Sequence, residues 1–238
     1  MADRLYFRQL LSGRDFAAGD PLASQMVNFV YLIGDRDSAE AVVVDPAYQV
    51  DDLLGILAED GMRLTGVLAT HHHPDHVGGS MMGHRIAGLK ELLDRQAARV
   101  HVHRDEAEWV RRVTGVSTSD LVSHDSGDVV EVGAIGIQTL HTPGHTPGSQ
   151  CFLVDGMLVA GDTLFLEGCG RTDLPGSDPD AMWESLQRLA SLPDDIAVFP
   201  GHRYSDASAA TLGLIKDTNY VFKPTSKEQW LAMFAGAF

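Results

Sequence analysis

Short β-branched runs and stretches with helical spacing take turns along this chain. Residues 27–33 and 41–44 carry the compact apolar pattern of strands, with Gly34-Asp35 opening the turn between them. Across 51–59 the apolar residues Leu53, Leu54 and Leu57 fall at helical spacing, and Gly61 supplies a stop. Residues 67–70 predict a buried strand, 80–98 one long helix, 100–103 a strand, and 105–112 a helix capped by Asp105. The stretch 113–127, rich in Ser, Thr, Gly and Asp, predicts a loop. Further strands are expected at 129–132, 135–141, 150–154 and 157–160, the last two joined as a hairpin at Asp155-Gly156. A Gly/Pro/Asp loop follows at 167–179, then a helix at 180–189, a strand at 196–199 and a helix at 205–216. The apolar run around 229–234 predicts a last helix that either caps the domain or makes a homodimer contact. This interleaving argues one α/β domain over residues 1–238, with 205–238 a short helical C-terminal extension.

Composition narrows the partners. The 238 residues carry a net charge of −15, a field that repels polyanions and argues against nucleic acid. Two cysteines in a chain of this length are no disulfide framework, which favours an intracellular setting. The start, Met1-Ala2-Asp3-Arg4-Leu5, lacks a basic segment followed by an apolar one, so no signal peptide is expected. No apolar run approaches the roughly 20 residues that span a bilayer. The expectation is a cytoplasmic protein with a small-molecule substrate and no membrane partner.

The chemistry is concentrated at the ends of predicted strands. After Val67-Leu68-Ala69 comes Thr70-His71-His72-His73-Pro74-Asp75-His76, a run of imidazoles and a carboxylate that suits zinc, iron or manganese. His71, His73 and Asp75 alternate, so an extended chain aims them to one side, and a turn at Pro74 can return His76 to the same place. Three later strand ends carry the same pattern of apolar strand, small residue and metal-ligand side chain. These are His141-Thr142-Pro143-Gly144-His145, Ala160-Gly161-Asp162-Thr163 and Phe199-Pro200-Gly201-His202. His72 is out of phase and reads as a supporting or surface residue. His101 and His103 read as sheet packing, His84 as a solvated or groove-lining residue of the long helix, His124 as exposed in the polar loop, and His141 as a strand residue supporting His145. Cys151 reads as core. Cys169 reads by default as a small packing residue, with a reactive thiol as the alternative.

The H-x-H-x-D-H run with His145, Asp162 and His202 resembles the metallo-β-lactamase superfamily across about residues 27–204. The resemblance implies a four-layer αβ/βα sandwich with two divalent metal ions at the edge of the sheets, zinc first and iron or manganese as alternatives. It assigns His71, His73 and His145 to one metal, Asp75, His76 and His202 to the other, and Asp162 to both. True β-lactamases usually carry Gly in place of His76 and Cys in place of Asp162, which points away from antibiotic hydrolysis.

Within the superfamily, residues 168–176 and Gly201-His202-Arg203-Tyr204 resemble hydroxyacylglutathione hydrolases (glyoxalase II), their compact relatives and the persulfide dioxygenases. In the glyoxalase family a basic residue near Arg171 and the tyrosine at Tyr204 touch glutathione. This chain has Asp173 where that family has an aromatic residue. Only 36 residues follow His202, too few for the helical domain that completes the family's glutathione pocket. The expected activity is therefore hydrolysis of a thioester or similar acyl compound by a metal-bridging hydroxide, with Asp75 both a ligand and the group that orients the nucleophile. A thiolate is a good leaving group, which agrees with finding no Ser–His–Asp triad. The alternative is a mononuclear Fe(II) persulfide dioxygenase using His71, His145 and Asp162; a lactonase is the third reading.

Overall fold

The computed structural model describes residues 4–234. The signal-peptide expectation at Met1-Ala2-Asp3 and the last four positions of the C-terminal extension lie outside the described residues. The first half contains β1 (Leu5–Leu11), α1 (Pro21–Met26), β2 (Phe29–Asp35), β3 (Glu40–Val44), α2 (Val50–Glu59), β4 (Arg63–Leu68), α3 (Pro74–Val77), β5 (Gly79–Met81), β6 (His84–Ile86), α4 (Leu89–Arg95), β7 (Arg99–His103), α5 (Ala107–Thr114) and β8 (Leu121–His124). The second half contains β9 (Val129–Val132), β10 (Ile135–His141), β11 (Gln150–Val154), β12 (Met157–Gly161), α6 (Pro179–Ala190), β13 (Ala197–Pro200), β14 (Ala210–Thr211), α7 (Leu212–Thr218) and α8 (Lys227–Phe234).

Two six-stranded sheets result, ordered β1-β2-β3-β4-β7-β8 and β14-β13-β12-β11-β10-β9. The strands alternate, and each side of each sheet has its own partner. Phe29, Tyr31, Ile33, Val42, Val44 and Leu68 of the first sheet meet Val130, Ile137, Phe152 and Val159 of the second in one shared core. The opposite side chains of the first sheet, among them Val30, Leu32, Val43 and Val67, pack on Leu53 and Leu57 of α2, Leu89 and Leu92 of α4, and Val110 of α5. Leu158 and Ala160 of the second sheet pack on Met182 and Leu186 of α6, Ile215 of α7 and Trp230 of α8. The layers run helix, sheet, sheet, helix, which is the four-layer αβ/βα sandwich expected. Among the described residues no helix is long and apolar enough to cross a membrane.

Local chemistry explains several element ends. In α2 the buried Val50, Leu53 and Leu57 form one stripe. Asp178 caps α6 by accepting from the amides of Asp180 and Ala181, and Pro179 occupies the first turn. Residues 155–156 form the expected hairpin turn, both with positive φ.

Four expectations need correction. The long helix at 80–98 is a hairpin, β5–β6, followed by the short α4. Met82-Gly83, with φ of 52° and 79°, makes a tight turn that a continuous helix cannot contain. The supposed loop at 113–127 contains β8, which pairs in parallel with β7 and puts His124 on the sheet edge, half-buried. Helix 205–216 begins only at Leu212, after β14 pairs with β13. Asp105 does not cap α5; Glu106 occupies that position, and its carboxylate points elsewhere. β1 and α1 lie in residues 5–26, where no element was expected. The C-terminal helix covers the second outer layer: Trp230 is fully buried and its Nε1 donates to Pro179 O at 2.9 Å.

Candidate metal centre

The histidine run leaves β4, whose last three residues are buried. His73 is still extended, with φ −64° and ψ 142°, and Pro74 then opens α3, so Asp75 and His76 turn back toward His71 and His73. His145 follows β10, Asp162 follows β12 and His202 follows β13. The two sheets are tied together beside this edge. Gln150 donates from N and Nε2 to Thr70 O and Ala69 O, both at 2.9 Å, and Phe29 N donates to Gly201 O at 2.8 Å.

Seven side chains converge here. Nδ1 of His73 lies 3.1 Å from Nε2 of His71 and 2.9 Å from Nε2 of His145. Nε2 of His76 and Nε2 of His202 are 3.1 Å apart, and Asp75 Oδ2 lies 3.6 and 3.4 Å from them. Each of these triads could hold one metal ion, since its ligand atoms lie within 4.8 Å of one another. Asp162 stands between them. Its Oδ2 is 3.6 Å from His145 Nε2 and 3.4 Å from His202 Nε2, and its Oδ1 is 3.4 Å from His76 Nε2.

The imidazoles are held from behind. Thr70 gives its hydroxyl proton to Asp45 Oδ2 at 2.6 Å, so Thr70 Oγ1 can accept from His71 Nδ1 at 2.9 Å. His76 Nδ1 faces Asp45 Oδ2 at 3.0 Å, His145 Nδ1 faces Arg171 O at 2.8 Å, and His202 Nδ1 faces Met26 O at 2.8 Å. Each outer acceptor keeps the proton on Nδ1 and turns the Nε2 lone pair inward, as metal-ligating histidines require. A glycine is needed nearby: a Cβ on Gly170 would lie 2.0 Å from Asp162 O, so the 168–171 loop could not press against the strand end.

Charge follows the same geometry. Burial, with neighbouring imidazoles, pushes His71 well down and His73 down to about 3, which leaves both neutral with lone pairs available. Burial alone would also lower His76, but Asp162, Asp75 and Asp45 outweigh it and raise that imidazole to about 10. Asp162 is held well below the usual carboxylate range: burial opposes ionisation, and His202 and His76 prevail. Three clustered carboxylates thus call for positive charge, which a proton supplies when no cation does.

The structure also places the residues at the rim and behind the site. Arg171 lines the cavity over the cluster and pairs with Asp173 at 2.6 Å. Tyr204 stacks on His202, ring centroids 4.8 Å apart and planes at 5°. His72 points away from the cluster, stacked on Trp109 and facing Glu106 Oε1 at 2.5 Å. Burial pushes the Cys169 thiol up to about 12, so it forms neutral wall; Cys151 is core. His84 is exposed on β6, not on a helix. His101 and His103 each pack against another histidine: His101 stacks on His124, and His103 on His141 at 3.6 Å. His141 also faces Pro147 O at 3.0 Å, in the loop that carries His145.

Sequence reasoning passed over three supports. Asp45 holds Thr70 and His76. Fully buried Glu106 accepts from His72 N, Thr146 Oγ1 and Gly148 N at 2.7, 3.0 and 2.8 Å, joining the first histidine loop to the His145 loop. Asn28 donates to Asp75 Oδ2 at 3.2 Å and accepts from Tyr48 OH at 2.9 Å. None sits in a ligand motif; a lone acid after strand β3 was the only visible signal.

The model of the metallo-β-lactamase superfamily matches residues 25–202, a span that contains every residue of the cluster. This chain belongs to the metallo-β-lactamase superfamily. A probable polyketide biosynthesis zinc-dependent hydrolase, BaeB of Bacillus velezensis, is 30% identical over 86% of this chain and 85% of its own. A hydroxyacylglutathione hydrolase of Rhodopseudomonas palustris is 36% identical over 84% of this chain and 72% of its own. The crystal structure of ETHE1 from Myxococcus xanthus superposes with a TM-score of 0.79 at 32% identity, covering 97% of this chain and 90% of that one.

The superfamily's metal chemistry fits the donor set observed here. Asp162 Oδ1 is buried and accepts no hydrogen bond. It faces His76 Nε2 at 3.4 Å without a hydrogen bond, and a cation placed between the two triads would give it the partner it lacks.

Proposed function

We propose that this chain is a metal-dependent thioester hydrolase with a dinuclear centre. His71, His73 and His145 would hold one divalent ion and Asp75, His76 and His202 the other, with Asp162 within reach of both; zinc is the simplest ion for this imidazole and carboxylate set. The orphaned Asp162 oxygen between two histidine-rich triads carries the reading, and the hydrolase names of the relatives support it. Both cysteines are free thiols, in keeping with work in the cytoplasm.

Two bound ions would supply a nucleophile from water near neutral pH and polarise a carbonyl. The protein's own part is positioning and proton handling. Asn28 fixes Asp75 through Oδ2, which leaves the other carboxylate oxygen to orient the attacking water and accept its proton. A thiolate, with a reference pKa of about 8.5, leaves without a dedicated acid. Arg171 and Tyr204 line the cavity, where they would touch substrate.

The deciding experiment is steady-state hydrolysis of a thioester, compared with its oxygen ester, by protein loaded with zinc, manganese or iron and assayed for metal content. Two ions per chain and preferential thioester turnover are expected. One tightly held iron, oxygen uptake with a persulfide and no thioester turnover would replace this reading with the dioxygenase.

A further inference from the structure

The cavity over the cluster has a volume of about 650 Å³, ample for a small-molecule ligand. Its walls are unexpectedly apolar for a site built around three carboxylates. Met26, Met81, Met82, Phe165, Tyr204 and Tyr220 line it, from five separate stretches of chain. Met82, Tyr204 and Tyr220, which are 81%, 54% and 51% exposed, are among the few large apolar side chains that the described residues leave open to solvent, and all three face this one cavity.

The hairpin tip is the clearest sign. Met82 occupies a left-handed turn position, φ 52°, immediately before Gly83. Such positions favour Asn, Asp or Gly, and a methionine there costs conformational energy without burying anything. Beside it, Met81 also lines the cavity. Methionine is flexible and polarisable, and adapts to apolar ligands of varied shape. The polar features point the same way. Arg171 is the one cation among the lining residues; it is already paired with Asp173, and Glu167 adds negative charge. Beyond the metal centre, a substrate tail bearing carboxylates would meet little compensating charge.

We infer that the β5–β6 hairpin is an apolar clamp and that the substrate carries a medium-length hydrophobic acyl chain, held by Met81 and Met82 against Phe165 and the two tyrosines. This rests on the thioester-hydrolase reading of the centre, but it makes a separate claim about what lies beyond the scissile bond.

The test compares two non-hydrolysable thioethers, S-decyl and S-ethyl N-acetylcysteamine, by calorimetric titration of the metal-loaded protein. In parallel, kcat/KM is measured for decanoyl and acetyl N-acetylcysteamine thioesters. Burial of even a few methylenes predicts at least about tenfold tighter binding of the decyl compound and a similar advantage in kcat/KM. The double variant Met81→Ser/Met82→Ser should reduce that preference to about twofold, and Met82→Ser alone, at the exposed turn position, should lower it while keeping the melting temperature. Equal binding of the two thioethers by the unaltered protein, or a full preference retained by the double variant, overturns the clamp. Turnover of both thioesters at the same rate, with no binding preference, removes the clamp and leaves the hydrolase. A decyl preference without turnover of either thioester removes the hydrolase and leaves the apolar pocket.

Discussion

The Asp45 carboxylate lies 3.0 Å from Nδ1 of His76, while its two oxygens also take the amide and the hydroxyl of Thr70 at 2.7 and 2.6 Å. One buried side chain at the end of β3 thus orients an imidazole from α3 directly and His71 through Thr70. Asp45 has φ 55°, a conformation that Asp tolerates better than most residues. Changing Asp45 to Ala should leave the far-UV spectrum intact and weaken metal binding about 10–100-fold, read by competition with a chromophoric chelator. Unchanged affinity would show that His76 needs no such support.

Asp162 is the only one of the seven clustered side chains whose carboxylate reaches both triads. Its replacement by Ala should reduce the metal content after dialysis from two ions per chain to one or fewer, measured by plasma mass spectrometry. Removing metal from the unaltered protein with a chelator should lower its melting temperature, because an ion held at 100 times its dissociation constant stabilises the fold by about 2.7 kcal/mol.

Glu106 joins the loop of His72 to the loop of Thr146 and Gly148, wholly out of solvent. An alanine there strands buried donors and should cost about 2–4 kcal/mol in urea unfolding. Because the histidine loops lose their tie, metal affinity should fall with stability. A fall in stability alone would mean that the loops hold their places without Glu106.

Trp230 anchors α8 beneath α6, close to Trp183 and bonded to Pro179 O. Trp230→Ala should destabilise the protein by about 3–5 kcal/mol, the usual cost of removing a large buried aromatic. Calorimetry would show whether the melting temperature falls accordingly.

Acid should weaken the fold through His101. Burial, with His124 and Arg99 nearby, lowers this imidazole to about 4, against about 6.5 when unfolded. Between those values the unfolded chain binds the proton and the folded chain does not, so stability is intact above about pH 6.5 and is lost as the pH falls to about 4. Urea midpoints measured at intervals through that range should decline more steeply for the native protein than for His101→Gln.

Much of this site was legible as local pattern. The ligand-type residues announced themselves because they cluster at the ends of short apolar strands, with Gly144, Gly161 and Gly201 immediately before His145, Asp162 and His202, and strand ends are determined by neighbours in sequence. The same locality explains the errors. Residues 80–98 carry enough helix formers to resemble a helix, but the turn at Met82-Gly83 and the close approach of Gly88 to Gly78 decide otherwise, and that approach joins segments ten positions apart. β8 and β14 exist because β7 and β13 offer them edges, which no window of composition records.

The sequence by itself determined the alternation of strands and helices, the superfamily and the kinds of side chain at each strand end. Only the tertiary structure decided that seven of those side chains meet, which support each imidazole receives, and that an apolar hairpin overhangs the carboxylates. The physical reason is range. Strand and turn preferences act over a few residues, whereas Asp45 with His76, Glu106 with His72 and Asp162 with both triads are brought together by the packing of two sheets, the first two pairs across 31 and 34 positions of sequence.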